Sequence, residues 1–344
     1  MDAPYLPLHP LPQRPKTRRR PIILAVIALS CVLLWTGSRY SPETTEKVKN
    51  MVTSKWATSS NGSDDKPLTK PHRLDKVVCF GDSLSDDGTG AWTVTKGTWP
   101  NRDAYAGHRF SNGPVYTEYM AQDLLLPLES LATGGASIST RVSSLSGQHG
   151  DWPVDCILEQ IAKYTTNKTD ESGTAFIIYA GANDAYFGVK ENTGTPADVI
   201  EDLKSAIATL KSVGGRYFII PTLPPLGDDY PYSNVFPEVS EPMHAFSAEF
   251  RDRLLEWAKE EPSIAVADFY AFYENLMADP KRLGFDETKR KTGCLETDCL
   301  EPEGYIWFDD FHPTTVVHRM LADVGLDALD RLTGGRLPLP STDE

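Results

Sequence analysis

Short apolar runs alternate along the chain with longer segments in which apolar residues recur every three or four positions. The runs have the length and composition of buried strands and cover residues 76–80, 126–131, 175–179, 217–221 and 264–268. The segments with helical periodicity are residues 197–213, 238–260 and 314–332. Strands that alternate with helices predict an α/β fold in which helices cover both faces of a parallel sheet.

The N-terminal segment differs from the rest of the chain. Five basic residues lie between positions 14 and 20, and no charge follows from Pro21 to Ser38. As a helix, this uncharged segment would span about 27 Å, close to the hydrocarbon thickness of a membrane. We therefore predict a cytosolic basic tail at 1–20, a transmembrane signal-anchor at 21–38 and a flexible polar stalk at 39–73. A cleaved secretory signal peptide is the alternative.

This topology predicts a single-pass type II membrane protein of the secretory pathway, with the rest of the chain lumenal or extracellular. Asn61 and Asn167 each open an acceptor sequence for N-glycosylation, which is weak support for that route. We assign one hydrophobic core to residues 74–335, followed by a C-terminal tail at 336–344. No oligomeric state follows from the sequence.

Charge excludes one class of partner. The 344-residue chain has a formal net charge of −14, and its first 38 residues carry five basic and one acidic residue, which leaves −18 for the remainder. Nucleic acid is a poor partner for so acidic a domain, because its phosphates would be repelled.

The tetrapeptide Gly81-Asp82-Ser83-Leu84 directly follows the run at 76–80. Open α/β sheets assemble ligand sites at the carboxyl ends of their strands, and glycine permits a sharp turn there. Ser83 is therefore placed where a hydroxyl can act as a nucleophile. Alone, the motif is more often an ordinary turn.

Three later segments supply the other groups that acyl transfer requires. Residues 133–136 read Thr-Gly-Gly-Ala and form a loop without bulk, whose main-chain N–H groups can approach a substrate closely. Asn183 follows the run at 175–179 and offers a carboxamide. His312 offers an imidazole, with the Asp309 carboxylate three residues earlier.

These four ordered blocks resemble the SGNH (GDSL) hydrolase superfamily and are most similar to its plant and fungal lipase/acylhydrolase branch. The similarity covers roughly residues 74–333 and includes Arg-Phe-Ser-Asn-Gly-Pro at 109–114 and Leu-Pro-Pro-Leu-Gly at 223–227. It implies a three-layer α/β/α sandwich with a five-stranded parallel sheet of flavodoxin-like order. One position departs from the pattern: the asparagine that usually opens the second block is Ser130 here, so the loop before Gly135 would be braced differently.

The resemblance implies a role for each site residue and implies no cofactor or metal. Ser83 is the nucleophile, His312 the general base and Asp309 the group that orients the base. The backbone N–H groups of Ser83 and Gly135 and the side-chain amide of Asn183 hold the oxyanion.

Several competing residues stay open at this level. Asp310 is an alternative to Asp309, and Gly134 is an alternative to Gly135. His318 falls on a predicted helix, where a packing role is the simpler explanation. Asp82 and Asp184 are expected to brace their own turns through side-chain to backbone hydrogen bonds.

The cysteines predict one disulfide. Cys294 and Cys299 lie five positions apart in a polar loop that leads towards Asp309, and a bridge there would contribute roughly 2 kcal/mol. Cys79 is expected to be a buried thiol, Cys31 lies in the predicted anchor, and Cys156 has no evident partner.

The implied activity is that of a serine esterase or acylhydrolase that cleaves acetylated carbohydrate or lipid acyl esters. Trp92, Trp99, Tyr105 and Phe110 lie in the insertion between residues 85 and 114, where they either line the cleft or pack within the loop. An acyltransferase would use the same residues. A domain that binds glycan or lipid without turnover is the remaining alternative, although the intact set of site residues argues against it.

Overall fold

The computed structural model describes residues 73–101, 103–142, 153–227, 229–234, 236–297, 299 and 302–335. The predicted basic tail, the anchor at 21–38, the stalk up to residue 72 and the C-terminal tail lie outside the described residues, as do Cys31 and Asn61. Within the described segments, we find no helix with the length and apolar character that a membrane crossing requires.

The described part of the chain contains a five-stranded sheet. Its strands are β1 (Lys76–Phe80), β2 (Leu128–Ser130), β3 (Thr174–Ile178), β4 (Tyr217–Pro221) and β5 (Ile264–Ala267). Their spatial order is β2-β1-β3-β4-β5, and every neighbouring pair is parallel. This is the flavodoxin-like order, so the expected fold class is confirmed. Ligands of such sheets bind beyond the carboxyl ends of the strands, where the strand order reverses beside β1.

The strand predictions agree closely with the observed strands, and the differences have local causes. The prediction at 126–131 is longer than β2, because this edge strand pairs with β1 only from Val77 to Cys79. The prediction at 264–268 includes Asp268, which instead caps the following helix by accepting the Ala271 N–H.

Aromatic rings pack side by side across the centre of the sheet. Phe176 of β3 lies in register with Phe218 of β4, their centroids 5.6 Å apart, and Phe80 of β1 lies 6.2 Å from Phe176 on its other side. All three rings are fully buried, and each contributes roughly 1.5–3 kcal/mol. This packing holds β1 in place and therefore fixes the position at which the turn after β1 begins.

Helices cover both faces of the sheet. They are α1 (Gly90–Val94), α2 (Tyr116–Leu124), α3 (Ile157–Thr165), α4 (Ala182–Glu191), α5 (Pro196–Ser212), α6 (Pro237–Glu260), α7 (Phe269–Ala278) and α8 (Thr315–Thr333). Helices α2 and α8 pack together, whereas α3, α5 and α6 pack in succession. The three predicted helices correspond to α5, α6 and α8 with ends within one residue.

The start of α5 shows why that prediction was accurate. The Thr195 side chain accepts the Asp198 N–H, the Asp198 carboxylate accepts the Thr195 N–H, and Pro196 occupies the first helical position. All three features are sequence signals for the start of a helix.

Candidate active site

Ser83 lies in the turn that directly follows β1 and is partly exposed. The neighbouring Gly81 is tightly enclosed, since a Cβ built on it would lie 3.3 Å from the Tyr179 carbonyl oxygen. Gln160 of α3 accepts the Gly81 N–H and donates to the Gly81 carbonyl, both at 3.0 Å. The turn is therefore anchored on the residue two positions before Ser83.

The His312 imidazole joins Ser83 to a carboxylate. Its Nε2 lies 2.7 Å from Ser83 Oγ, although 229 residues separate the two along the chain. Its Nδ1 lies 2.8 Å from Asp309 Oδ2 and 2.9 Å from Asp309 Oδ1. The carboxylate in contact with the imidazole is thus that of Asp309 rather than that of Asp310.

A tight turn sets Asp309 and His312 side by side. The Phe308 N–H donates to the His312 carbonyl at 2.7 Å. The N–H groups of Phe311 and His312 donate to Asp309 Oδ1 at 2.8 and 2.7 Å. The three-residue spacing is what this local geometry requires.

The charges of the pair support each other. Burial opposes ionisation of Asp309, but the adjacent His312 ring and two backbone N–H groups outweigh it, so the pKa of Asp309 lies below its ordinary value. Burial also opposes the imidazolium, but the Asp309 carboxylate outweighs it, so the pKa of His312 lies above 6.5. His312 therefore accepts a proton readily while Asp309 stays ionised.

Sequence reasoning missed one contact to this pair. The Tyr105 hydroxyl donates to Asp309 Oδ2 at 2.8 Å, across 204 residues of chain. No local motif signals this bond, because it exists only when the insertion folds over the C-terminal segment.

The Asn183 amide lies between two loops of the site. Its Nδ2 donates to the Ala136 carbonyl at 2.9 Å and lies 3.3 Å from Asp82 Oδ2. It thereby joins the loop of Gly135 to the turn of Ser83. Across the described residues, we find no acceptor for the backbone N–H of Ser83 or Gly135.

The Gly135 loop is braced by a buried carboxylate that was not expected to do so. Asp86 Oδ1 and Oδ2 each accept two N–H groups, from Gly88 and Gly90 at 3.0 Å, from Ala91 at 2.8 Å and from Gly134 at 2.9 Å. Ser130 Oγ is shielded from solvent and has no hydrogen-bond partner in the described part of the chain. Asp86 rather than residue 130 therefore fixes this loop.

Of the two adjacent glycines, Gly135 is the one whose N–H is available. The Gly134 N–H is bound to Asp86, and a Cβ on Gly134 would lie 2.4 Å from the Phe110 ring. Gly135 has a φ of 84°, a conformation that favours glycine.

The other titratable candidates brace the site. Asp82 accepts the N–H two residues later at 3.0 Å, as predicted, and burial raises its pKa to about 7. Asp184 accepts its own backbone N–H, as expected, and it also braces the loop of Gly135 by accepting the Ile138 N–H at 3.0 Å. His318 is buried on α8 and accepts the Tyr116 N–H at 3.3 Å, and burial lowers its pKa to about 3.

Among the described side chains, no group of three or more His, Cys, Asp or Glu is arranged to hold a metal ion.

The aromatic residues of the insertion pack behind the imidazole. Phe110 is buried, with its ring 5.1 Å from the His312 ring and 4.5 Å from the Trp99 ring. Trp92 stacks on His108 at 3.6 Å. The sequence allowed these residues either to line the cleft or to pack within the loop. For Phe110 and Trp99, the structure shows packing.

The predicted disulfide between Cys294 and Cys299 is present. Its loop contacts the strand-like segment before the imidazole, because the N–H groups of Cys294 and Leu295 donate to the Trp307 and Phe308 carbonyls at 3.1 and 2.9 Å. Cys79 and Cys156 are buried free thiols, and burial raises the pKa of both.

Curated relatives include bacterial and plant proteins. The chain is 27% identical over 288 residues to a thermolabile hemolysin of Vibrio parahaemolyticus, a match that covers 76% of this chain and 66% of that protein. It is 23% identical to a phosphatidylcholine-sterol acyltransferase of Aeromonas hydrophila and 22% identical to the GDSL esterase/lipase EXL6 of Arabidopsis thaliana. Both of these matches cover 72% of this chain and 88% of the relative.

Among solved structures, a lipolytic protein of the G-D-S-L family from Veillonella parvula aligns with a TM-score of 0.45 at 15% identity, covering 75% of this chain and all of that one. The family model described as GDSL-like Lipase/Acylhydrolase matches residues 77–324. That match spans all four blocks and most of the chain, so the protein belongs to the GDSL lipase/acylhydrolase family of carboxylic ester hydrolases.

Proposed function

We propose that the chain cleaves carboxylic esters through a covalent acyl intermediate on Ser83. The observation that carries this proposal is the pair of short hydrogen bonds from Ser83 Oγ through His312 to Asp309, 2.7 and 2.8 Å. As Oγ attacks the carbonyl carbon, His312 Nε2 accepts the hydroxyl proton and then passes it to the leaving alcohol. A water molecule next loses a proton to His312 and attacks the acyl carbon. The bond from that carbon to Ser83 Oγ then breaks, His312 returns the proton to Oγ, and the carboxylic acid is released.

The negative charge that develops on the carbonyl oxygen is held by three donors. These are the backbone N–H groups of Ser83 and Gly135 and the Asn183 amide, which lies between their two loops. The Asn183 contact with Asp82 is long, at 3.3 Å, so this N–H can turn towards an oxyanion. Each such donor contributes about 3 kcal/mol to the transition state.

A fluorophosphonate probe tests the nucleophile directly. We expect it to label the wild-type chain on Ser83 and to leave Ser83→Ala unlabelled. Ser85→Ala is the matched control. Ser85 lies two positions after Ser83, is fully buried, and its Oγ shares a hydrogen bond with the Tyr116 hydroxyl. Labelling that persists in Ser83→Ala would exclude this serine as the nucleophile.

We infer that the substrate carries an apolar group, with a lipid acyl ester as the first candidate. Phe311 is 37% exposed and precedes His312. Its ring lies 5.0 Å from Tyr232 and 5.7 Å from Tyr186, which follows Asn183 on α4. Phe311 and the partly exposed Tyr186 form an aromatic surface that is backed by the buried Tyr232 and borders both the base and the oxyanion donor.

Aromatic faces also stack on sugar rings, so an acetylated carbohydrate is the second candidate. Hydrolysis rates of nitrophenyl acetate, butyrate and octanoate separate the two. A rate that rises with chain length and falls in Phe311→Ala supports the lipid ester. Equal effects of this variant on all three esters contradict it.

Acyl transfer to another alcohol is the alternative activity. It uses the same first step and differs only in the group that attacks the acyl intermediate. Product analysis in the presence of added alcohols decides between the two, because a transferase yields the new ester at the expense of free acid.

We also propose that residues 21–38 tether the catalytic domain on the lumenal or extracellular side of a membrane. The uncharged segment that follows a basic tail supports this proposal. Resistance of the full chain to alkaline carbonate extraction is the expected result, and release into the soluble fraction contradicts it.

A further inference from the structure

We propose that Tyr105 is a positioning residue that fixes the Asp309 carboxylate and, through it, sets the basicity of His312. This inference rests on the roles proposed above for Asp309 and His312. It concerns a residue outside the four blocks, contributed by the insertion between residues 85 and 114.

Tyr105 binds the Asp309 oxygen that lies slightly nearer to the imidazole. Asp309 Oδ2 accepts from the Tyr105 hydroxyl at 2.8 Å and lies 2.8 Å from His312 Nδ1. Asp309 Oδ1 accepts the two backbone N–H groups of its own turn. The local turn therefore fixes Oδ1. Among the described residues, Tyr105 is the one whose side-chain hydroxyl fixes Oδ2.

The Tyr105 ring is held in place by apolar packing. It lies edge-to-face on Phe308, with centroids 5.4 Å apart. Phe308 belongs to the small buried cluster that contains Cys294 of the disulfide. The hydroxyl is thus carried by a ring that rests on the same segment as Asp309.

The loop that carries Tyr105 is also hydrogen-bonded to the residues that follow His312. Ser111 Oγ donates to the Pro313 carbonyl at 2.9 Å, and Asn112 Oδ1 accepts the Thr315 N–H at 2.8 Å. The Ala106 N–H donates to the Ser111 carbonyl at 3.0 Å, which closes the loop. Residues 105–112 therefore hold the Asp309–His312 turn from both ends.

The hydroxyl should lower the proton affinity of the imidazole. A donor on the Asp309 carboxylate takes up part of its negative charge, so less of that charge stabilises the imidazolium. Removal of the hydroxyl should raise the pKa of His312 further and free the carboxylate to rotate. A larger share of the enzyme would then carry a protonated imidazole near neutral pH and could not accept the Ser83 proton.

Tyr105→Phe tests the proposal, because it removes the hydroxyl and keeps the ring. We expect kcat for a nitrophenyl ester to fall about tenfold, equivalent to about 1.4 kcal/mol, with KM changed less than twofold. The acid limb of the kcat/KM profile should move to higher pH. Tyr119→Phe is the matched control, since its hydroxyl bonds to the Thr315 hydroxyl at 2.8 Å, away from the carboxylate.

The pKa of His312 is also measured by NMR on the full chain labelled with ¹⁵N-histidine, which requires no turnover. An upward shift in Tyr105→Phe and no shift in Tyr119→Phe supports the proposal. An unchanged titration and an unchanged rate profile overturn it. A wild-type chain that hydrolyses no ester refutes the proposed function, while the NMR titration still decides the role of Tyr105.

Tyr105→Leu separates packing from hydrogen bonding. This variant also loses the ring contact with Phe308, so its Tm should fall below that of Tyr105→Phe. The His312 titration should shift equally in both variants. A shift confined to Tyr105→Leu would assign the effect to packing and overturn the proposal.

Discussion

The sharpest test of how the loop of Gly135 is held is the substitution Asp86→Asn. The Asp86 carboxylate accepts four backbone N–H groups, two on each oxygen, at 2.8 to 3.0 Å. The residue is buried. An asparagine of the same shape keeps one oxygen and places an NH₂ group where the other oxygen was, so two N–H groups then face a donor.

The size of the effect follows from that count. A buried donor left without an acceptor costs about 1–3 kcal/mol, so the two lost bonds should reduce the free energy of unfolding by about 2–6 kcal/mol. Burial raises the pKa of Asp86. The cost of burying its charge therefore offsets part of the stability that the four hydrogen bonds contribute. We therefore expect a value near the lower end, about 3 kcal/mol.

Activity should fall together with stability. If the lost pair includes the Gly134 N–H, the loop that carries Gly135 is released from α1, and the Gly135 N–H that we propose as an oxyanion donor is misplaced. Loss of one such donor lowers the rate on the order of a hundredfold. Urea unfolding followed by circular dichroism gives the free energy, and hydrolysis of a short nitrophenyl ester gives kcat.

The adjacent Asp87 provides a matched control. It is more exposed than Asp86, and among the described residues its carboxylate accepts from the N–H and hydroxyl of Thr89 alone. Asp87→Asn changes the same charge and should alter the unfolding free energy by less than about 1 kcal/mol. Equal stability and equal kcat in the two variants would refute the bracing role of Asp86.

Four further predictions concern the site and the loop beside it. Asn183→Ala should lower kcat on the order of a hundredfold with circular dichroism unchanged, and undiminished turnover would remove Asn183 from the oxyanion site. The kcat/KM profile should lose activity as pH falls through the raised pKa of His312, so its acid midpoint should lie above 6.5; a lower midpoint contradicts the pairing. The same pair should stabilise the fold most between pH 3.8 and 6.5, because Asp309 is ionised above its lowered pKa and His312 is protonated below its raised one. The difference in Tm between wild type and His312→Ala should be largest in that window, and a constant difference would contradict it. Replacing Cys294 and Cys299 with serine should reduce the free energy of unfolding by roughly 2 kcal/mol, measured by urea unfolding, and no loss would show that the bridge does not constrain the unfolded chain.

Sequence patterns predicted the features that depend on neighbouring residues. The strand β1 and the helix α5 were predicted to within a residue because burial of an apolar run and a capping box are local signals. A carboxylate close in sequence to His312 was also evident from the residues, and the family resemblance favoured Asp309 over Asp310, which is the carboxylate that contacts the imidazole. The family resemblance supplied the strand order, which spacing alone does not determine.

The contacts that sequence reasoning missed all cross between loops. Asp86 binds a backbone N–H 48 residues away, and Asp184 binds one 46 residues before it. Tyr105 reaches a carboxylate 204 residues along the chain. An aspartate that braces its own turn and one that braces a distant loop have the same local sequence, so only the fold distinguishes them.

These long-range bonds explain how separate loops can form one site. The segments that carry Ser83, Gly135 and Asn183 follow β1, β2 and β3, and the sheet fixes only where each of them begins. Beyond that point, a side chain from another loop or helix sets its position: Gln160 holds the turn of Ser83, Asp86 and Asp184 hold the loop of Gly135, and Tyr105 holds Asp309. The departure at Ser130 is tolerable for this reason, because the loop it precedes is already fixed by two carboxylates that do not depend on residue 130.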